Sequence, residues 1–252
     1  MFPPKNNFII YGLPVLSDNI VWIWIKEKSA VVVDPSVTAP IATWLRDNDL
    51  TLKAVLQTHH HEDHIGGTMG LIKEWPLAEV IASKSDYARI PFQTYSVKGQ
   101  EKIQLMGENI TVLEVPGHTK FHLAFYLKSK NEKIKPAVFC GDTLFGAGCG
   151  RLFEGSPKTM FKSLSLINSL PKSTQVYSAH EYTEANLKWA QSLRPQDKAI
   201  KARLEKVLKL KQLGQLSLPS SISIERETNL FLQAKSINEF TILRSHKDSW
   251  QG

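Results

Sequence analysis

Half of the chain's eight histidines stand in the segment Thr58-His59-His60-His61-Glu62-Asp63-His64, which follows the apolar run Ala54 to Leu56 and precedes Gly66-Gly67. A strand ending here puts His59 and His61 on one side, because side chains alternate along a strand. Asp63 and His64 then follow in a turn that the double glycine permits. Imidazole nitrogens and carboxylate oxygens are the donors that zinc, iron and manganese accept. Completion must come from elsewhere, and three further candidates each stand at the end of a predicted strand: His118 in Pro116-Gly117-His118-Thr119, Asp142 in Cys140-Gly141-Asp142-Thr143, and His180 in Ser178-Ala179-His180-Glu181. Five histidines and two aspartates exceed what one tetrahedral ion takes, so two ions sharing a carboxylate are expected. Water between two divalent cations is acidified by both, and hydrolysis then needs no serine or cysteine nucleophile.

Other reactive side chains are read as structural. His60 points away from the ligands by strand alternation, and His122 is a hydrogen-bonding residue. Cys140 and Cys149 are spaced as no thiolate metal motif is and are read as small buried residues.

The elements that must aim these groups come in two kinds. Through the first two thirds, short β-branched or aromatic runs bounded by Gly, Pro, Asn or Asp predict strands. These cover Asn19 to Ile25, Ala30 to Val33, Ala54 to Thr58, Glu79 to Ala82, Ile110 to Val115, Leu123 to Leu127, Ala137 to Cys140 and Gln175 to Ser178. Helices are predicted at Ala39 to Asn48, Gly67 to Glu74 and Pro157 to Ser169. After His180 strand signals cease, and Thr183 to Ser192, Gln196 to Leu213, Ile224 to Leu232 and Ser236 to His246 read as helices. Ile200, Leu204, Val207, Leu208 and Leu210 form an apolar face there, with Lys201, Arg203, Lys206, Lys209 and Lys211 as a solvated one. The expected organisation is a mixed α/β domain over 1–180 and a helical domain over 181–252.

Composition sets outer limits. With 42% hydrophobic and 22% charged residues the chain is of globular type. No apolar run is long enough for a membrane span or, within Met1 to Ile10, for a signal-peptide core. With only two cysteines, a reducing, cytoplasmic setting is expected. The net charge of +7 suggests anionic partners, a small acidic substrate or nucleic acid. From Glu181 onward 12 Lys and Arg stand against 8 Asp and Glu, a lean toward the C-terminus but no polybasic arm.

The pattern His59-x-His61-x-Asp63-His64, followed in order by His118, Asp142 and His180, resembles the metallo-β-lactamase superfamily. That resemblance implies an αββα sandwich with a small C-terminal α-helical domain. It assigns His59, His61 and His118 to one metal, and Asp63, His64 and His180 to the other, with Asp142 bridging; Asp63 would also orient the attacking hydroxide. Zinc is the expected ion, with iron or manganese as alternatives.

Three segments are similar to glyoxalase II, the hydroxyacylglutathione hydrolases. They are Gly141 to Phe145 continuing to Cys149-Gly150-Arg151-Leu152-Phe153, then Ala179-His180-Glu181-Tyr182-Thr183, and Leu243-Arg244-Ser245-His246-Lys247-Asp248. The resemblance implies that Arg151, Phe153, Tyr182, Arg244 and Lys247 contact glutathione, and that the substrate is the thioester S-lactoylglutathione. Phe153 replaces the tyrosine, and Arg151 the lysine, of some relatives. A monomer without nucleic-acid or membrane partners is expected. Competing readings are a persulfide dioxygenase of the same fold, a nucleic-acid-binding protein, and a metal-free scaffold. Retention of His180 and of the helical tail ending in Arg244 and Lys247 favours the hydrolase.

Overall fold

Runs of Val, Ile and Trp become strands here because they pair into sheets that bury both faces, as in the strand Asn19–Lys26 with all but its last residue buried. The computed structural model describes residues 8–128, 131 and 134–251. Most of the N-terminal segment read for a signal-peptide core lies outside the described residues. Contacts divide the chain into two units, Met1–Glu114 with Leu123–Ile134, and Val115–His122 with Lys135–Gly252.

In the first unit, β1 (Phe8–Val15), β2 (Asn19–Lys26), β3 (Ser29–Val33), β4 (Thr51–Leu56), β5 (Glu79–Ser83) and β6 (Tyr95–Val97) form a sheet in that order. The first three are antiparallel and the rest parallel. Strands β7 (Lys102–Leu105), β8 (Glu108–Glu114) and β9 (Leu123–Lys128) make an antiparallel meander. Helices α1 (Ala39–Asp47), α2 (Glu62–Ile65) and α3 (Thr68–Glu74) lie between the strands in sequence. Val21, Ile23, Val32, Ile41, Leu45, Val55 and Leu71 belong to one buried core, so β2 to β4 are held from one side by α1 and α3.

In the second unit, β10 (Ala137–Gly141) runs parallel to β13 (Gln175–Ser178). The hairpin β11 (Leu144–Phe145) and β12 (Gly148–Cys149) and the helix α4 (Pro157–Asn168) lie between them in sequence. A Ser156/Thr159 capping box and Pro157 start α4 where the sequence predicts it. Helices α5 (Thr183–Leu193), α6 (Lys198–Gln212), α7 (Ile222–Thr228), α8 (Leu230–Gln233) and α9 (Ile237–Ser249) follow, and the two-residue β14 (Ser220–Ser221) pairs with β13. Rings of Trp189, Phe231, Phe240 and Phe161 pack in series here, the first pair stacked, the second tilted and the last edge-on. Among the described residues no helix is long and apolar enough to cross a membrane.

Four expectations need correction. The strand predicted over Ala54 to Thr58 stops at Leu56, because Thr58 gives its N–H to Asp34 Oδ1 at 2.8 Å instead of to a neighbouring strand. The double glycine serves space, not a left-handed turn: a Cβ on Gly67 would lie 2.5 Å from the Val37 carbonyl. The helix predicted over Ile224 to Leu232 breaks at Asn229, whose side chain caps Phe231 N at 3.0 Å. Arg203, read as part of a solvated face, instead donates to the fully buried Glu225 at 2.6 Å. Strand β1 escaped prediction because Gly12 and Pro14 read as breakers; both are tolerated on an edge strand.

Candidate metal centre

The first unit brings His59, His61, Asp63 and His64 together without a strand. His61 has extended backbone (φ −62°, ψ 145°) and opens the single helical turn α2, which carries Asp63 and His64. Beneath it lies buried Asp34, held at φ 50°, a left-handed backbone uncommon for aspartate. Its Oδ2 accepts Thr58 Oγ1 at 2.6 Å and His64 Nδ1 at 3.1 Å. Thr58 Oγ1, its own hydrogen directed at Asp34, accepts from His59 Nδ1 at 3.0 Å. One carboxylate therefore sets the tautomer of two histidines and turns the lone pair of each to Nε2, as in carboxylate–histidine–metal arrangements.

Those Nε2 atoms face other donors. His59 Nε2 lies 3.1 Å from His61 Nδ1, and His64 Nε2 lies 3.6 Å from Asp63 Oδ2. Two ring nitrogens so close repel unless a proton or cation stands between them, which makes the donor set fit a divalent ion. Asn19, at the start of β2, donates to both the carbonyl and Oδ2 of Asp63, at 3.2 and 3.1 Å. His60 is turned elsewhere, with Nε2 accepting from Arg89 at 3.1 Å and Nδ1 3.4 Å from Asp86.

The second unit gathers His118, Asp142 and His180, all buried. Asp142 follows β10 directly, and His180 follows β13, the parallel neighbour of β10. Oδ2 of Asp142 lies 3.4 Å from His118 Nε2 and Oδ1 lies 3.4 Å from His180 Nε2. One carboxylate oxygen thus faces each imidazole, a placing compatible with a carboxylate shared by two ions. His118 Nδ1 donates to the Arg151 carbonyl at 2.9 Å, leaving its lone pair on Nε2. His122 Nε2 accepts the Asp142 N–H at 3.2 Å, so this histidine supports the ligand set from behind. Gly150 is required sterically, since a Cβ there would sit 2.0 Å from the Asp142 carbonyl oxygen.

A cavity of about 410 Å³ opens beside these residues, lined among others by Asp142, Arg151, Phe153, Tyr182, Arg244 and Lys247. The Tyr182 ring stacks flat on His180 at 4.8 Å, and Phe153 meets His118 edge-on at 5.1 Å. Arg151 is 69% exposed, 4.0 Å from Asp248. Arg244 is buried, donating to the Cys149 carbonyl at 2.9 Å and to Asp248 at 2.7 Å over the Phe231 ring. Burial, with Arg244 and Arg151 nearby, lowers the Lys247 ammonium to about 8. Burial pushes the thiols of Cys140 and Cys149 up to about 12 and 11, so both stay protonated and neither serves as a nucleophile.

Sequence reasoning missed Asp34 and Asn19. The signal for Asp34 was present, since it follows β3 as Asp142 follows β10. Asn19 carried no signal beyond opening a strand.

Comparison with known proteins places the chain. The model of the metallo-beta-lactamase superfamily matches residues 13–180 and that of the hydroxyacylglutathione hydrolase C-terminus matches residues 181–250. A hydroxyacylglutathione hydrolase of the cyanobacterium Prochlorococcus marinus is 58% identical over 98% of this chain and 98% of its own length. Another, from a second strain of Prochlorococcus marinus, is 57% identical over 99% of each. Among solved structures, ETHE1 from Myxococcus xanthus superposes with a TM-score of 0.72 at 24% identity, covering 96% of this chain and 92% of that one, a likeness of fold.

Proposed function

The chain belongs to the hydroxyacylglutathione hydrolases of the metallo-beta-lactamase superfamily, and from that premise we propose that it hydrolyses S-D-lactoylglutathione to glutathione and D-lactate, the second step of methylglyoxal detoxification. Seven residues would hold two divalent ions: His59, His61 and His118 one, Asp63, His64 and His180 the other, with Asp142 shared by both. Zinc is our assignment, with iron or manganese accepted by the same donors. The observation that carries the reading is the placing of Asp142 with one oxygen toward each of His118 and His180, in the cavity that Arg151, Tyr182 and Lys247 also line.

The ions, when bound, acidify water and polarise the thioester carbonyl. The remaining work falls to side chains. Asp63, oriented by Asn19, aims the attacking water and takes up its proton. Asp34 keeps His59 and His64 in the ligating tautomer. Tyr182, its ring stacked on His180, gives its hydroxyl hydrogen to bound glutathione and Phe153 packs beside the substrate, while Arg244, Lys247 and Arg151 meet the glutathione carboxylates. The leaving thiolate has a conjugate acid of about 8.5, so it departs without a general acid.

The helical region from residue 181 onward supplies three of the five binding groups, Tyr182, Arg244 and Lys247, and the part before it all seven ligands. We assign a cytoplasmic monomer, a location the two free thiols agree with. The test is metal analysis paired with a thioester hydrolysis assay. About two ions per chain with turnover of S-lactoylglutathione is expected, and a loaded protein inactive on it would overturn the reading.

A further inference from the structure

Hairpin β11–β12 joins the two sides of the cavity in the second unit. It begins two residues after Asp142 and ends two residues before Arg151, whose carbonyl orients His118. Phe145 meets the rings of Tyr182 and His180 edge-on at 5.2 and 5.8 Å, and the Cys149 carbonyl takes the Arg244 guanidinium. Its turn is not self-sufficient. Ala147 sits at φ 55°, a left-handed backbone unfavourable for a residue with a side chain, and its N–H points inward.

That N–H donates to Oε2 of Glu225 at 2.8 Å. Glu225 is fully buried; its Oε1 accepts Arg203 at 2.6 Å and Ser220 Oγ at 2.5 Å. Asn229 completes the clasp, its Nδ2 donating to the Gly148 carbonyl at 3.0 Å and to Glu225 at 3.2 Å, while Oδ1 caps Phe231 N. A buried ion pair is weak grounds for stability. What an apolar pair could not do is accept the turn's N–H and donate to its carbonyl.

We propose that Glu225 and Asn229 are positioning residues that clamp the β11–β12 hairpin and thereby set where Arg151 and Phe153 meet the glutathione portion of the substrate. The proposal rests on the glutathione-thioester reading above. Neither residue touches substrate. They act through the hairpin on binding.

Asn229→Ser keeps an acceptor for Phe231 N but has no amide to reach the hairpin, and Asn229→Asp sets a second carboxylate against Glu225. Both should raise KM for S-lactoylglutathione about tenfold, as the loss of one or two buried hydrogen bonds implies, with kcat changed less than about threefold and metal content at the wild-type value. Amide hydrogen exchange across residues 144–150 should quicken about tenfold, with exchange in α4 unaltered. Asp197→Ala, which removes the cap of α6 and touches nothing in the cavity, is the stability control and should leave KM and that exchange unchanged. Wild-type KM and slow exchange in Asn229→Ser would overturn the proposal, as would an equal rise in KM in Asp197→Ala. Should Asn229→Asp fail to fold, Asn229→Ser decides. Failure of the wild type to hydrolyse S-lactoylglutathione overturns the functional reading instead, and the exchange at 144–150 still tests the clamp.

Discussion

The segment from Asp34 to His64 and the cleft from Arg151 to Lys247 are built on opposite principles. In the first, His59 and His64 are buried and each has its second nitrogen tied, directly or through Thr58, to one carboxylate. In the second, Phe153 is 63% exposed, Arg151 reaches Asp248 only at 4.0 Å, and Lys247 is half-buried with its charge discouraged. The contrast teaches that the geometry of the histidine cluster is over-determined, whereas the side chains of the cleft keep freedom to adapt to what enters it. Damage to the first should read out in metal content and turnover; damage to the second should read out gradually in KM.

The largest effect is expected at the ligand side. Asp142→Ala should lower the metal content below two per chain and turnover by several kcal/mol, about a thousandfold, measured by elemental analysis and initial rates. A variant retaining both ions and near-normal turnover would break the bridging assignment. Asp34→Asn comes next: weakening the acceptor for Thr58 and His64 should cost roughly 10- to 100-fold in metal affinity, measured by chelator competition. Equal affinity in the two proteins would mean that the tautomers are set by something other than this carboxylate.

On the cleft side, Arg151→Ala with Lys247→Ala should raise KM for S-lactoylglutathione by roughly 1 to 3 kcal/mol, discounted from two charged hydrogen bonds for solvent screening, with metal content unchanged. A small thioester lacking the tripeptide should not distinguish this variant from wild type. Arg244→Ala should differ by also lowering the melting temperature, since Arg244 is buried against Cys149 and Phe231.

A smaller effect follows from pH. Lys247 is cationic below its value of about 8 and neutral above it, so KM should rise as pH passes upward through 8. Lys247→Arg should flatten that rise, because a guanidinium stays charged. A KM profile identical in both proteins would remove Lys247 from substrate binding. The smallest change is expected for Tyr182→Phe, about 0.5 to 1.5 kcal/mol in KM with kcat nearly constant, as for one neutral hydrogen bond. A fall in kcat at constant KM would move Tyr182 to the chemical step.

The same contrast governs what could be read from sequence. His59, His61, Asp63 and His64 are close neighbours in the chain, and their types alone suggest metal chemistry. Asp142 and His180 were singled out because strand ends repeat as a theme, and the fold brings the two within 3.4 Å of each other. The cleft residues are far apart and of ordinary type, so only a family resemblance picked them out; periodicity treats Arg244 as one more charge near a helix end. Where prediction slipped, a distant partner had intervened. Thr58 is β-branched and reads as strand until Asp34 takes its N–H. Ile224 to Leu232 reads as one helix until Asn229 turns its side chain to cap a new one.

The position of Lys247 has an optical consequence. Its ammonium lies 5.5 Å from the Trp189 ring and 4.4 Å from that of Trp250, two of the chain's six tryptophans. A cation against an indole face perturbs the excited state of the ring, and a carboxylate arriving at that cation would alter the perturbation. The protein thus carries two indole rings beside a cation that lines the cleft, an intrinsic fluorophore whose emission should change when that cation gains a partner, with no label and no turnover needed.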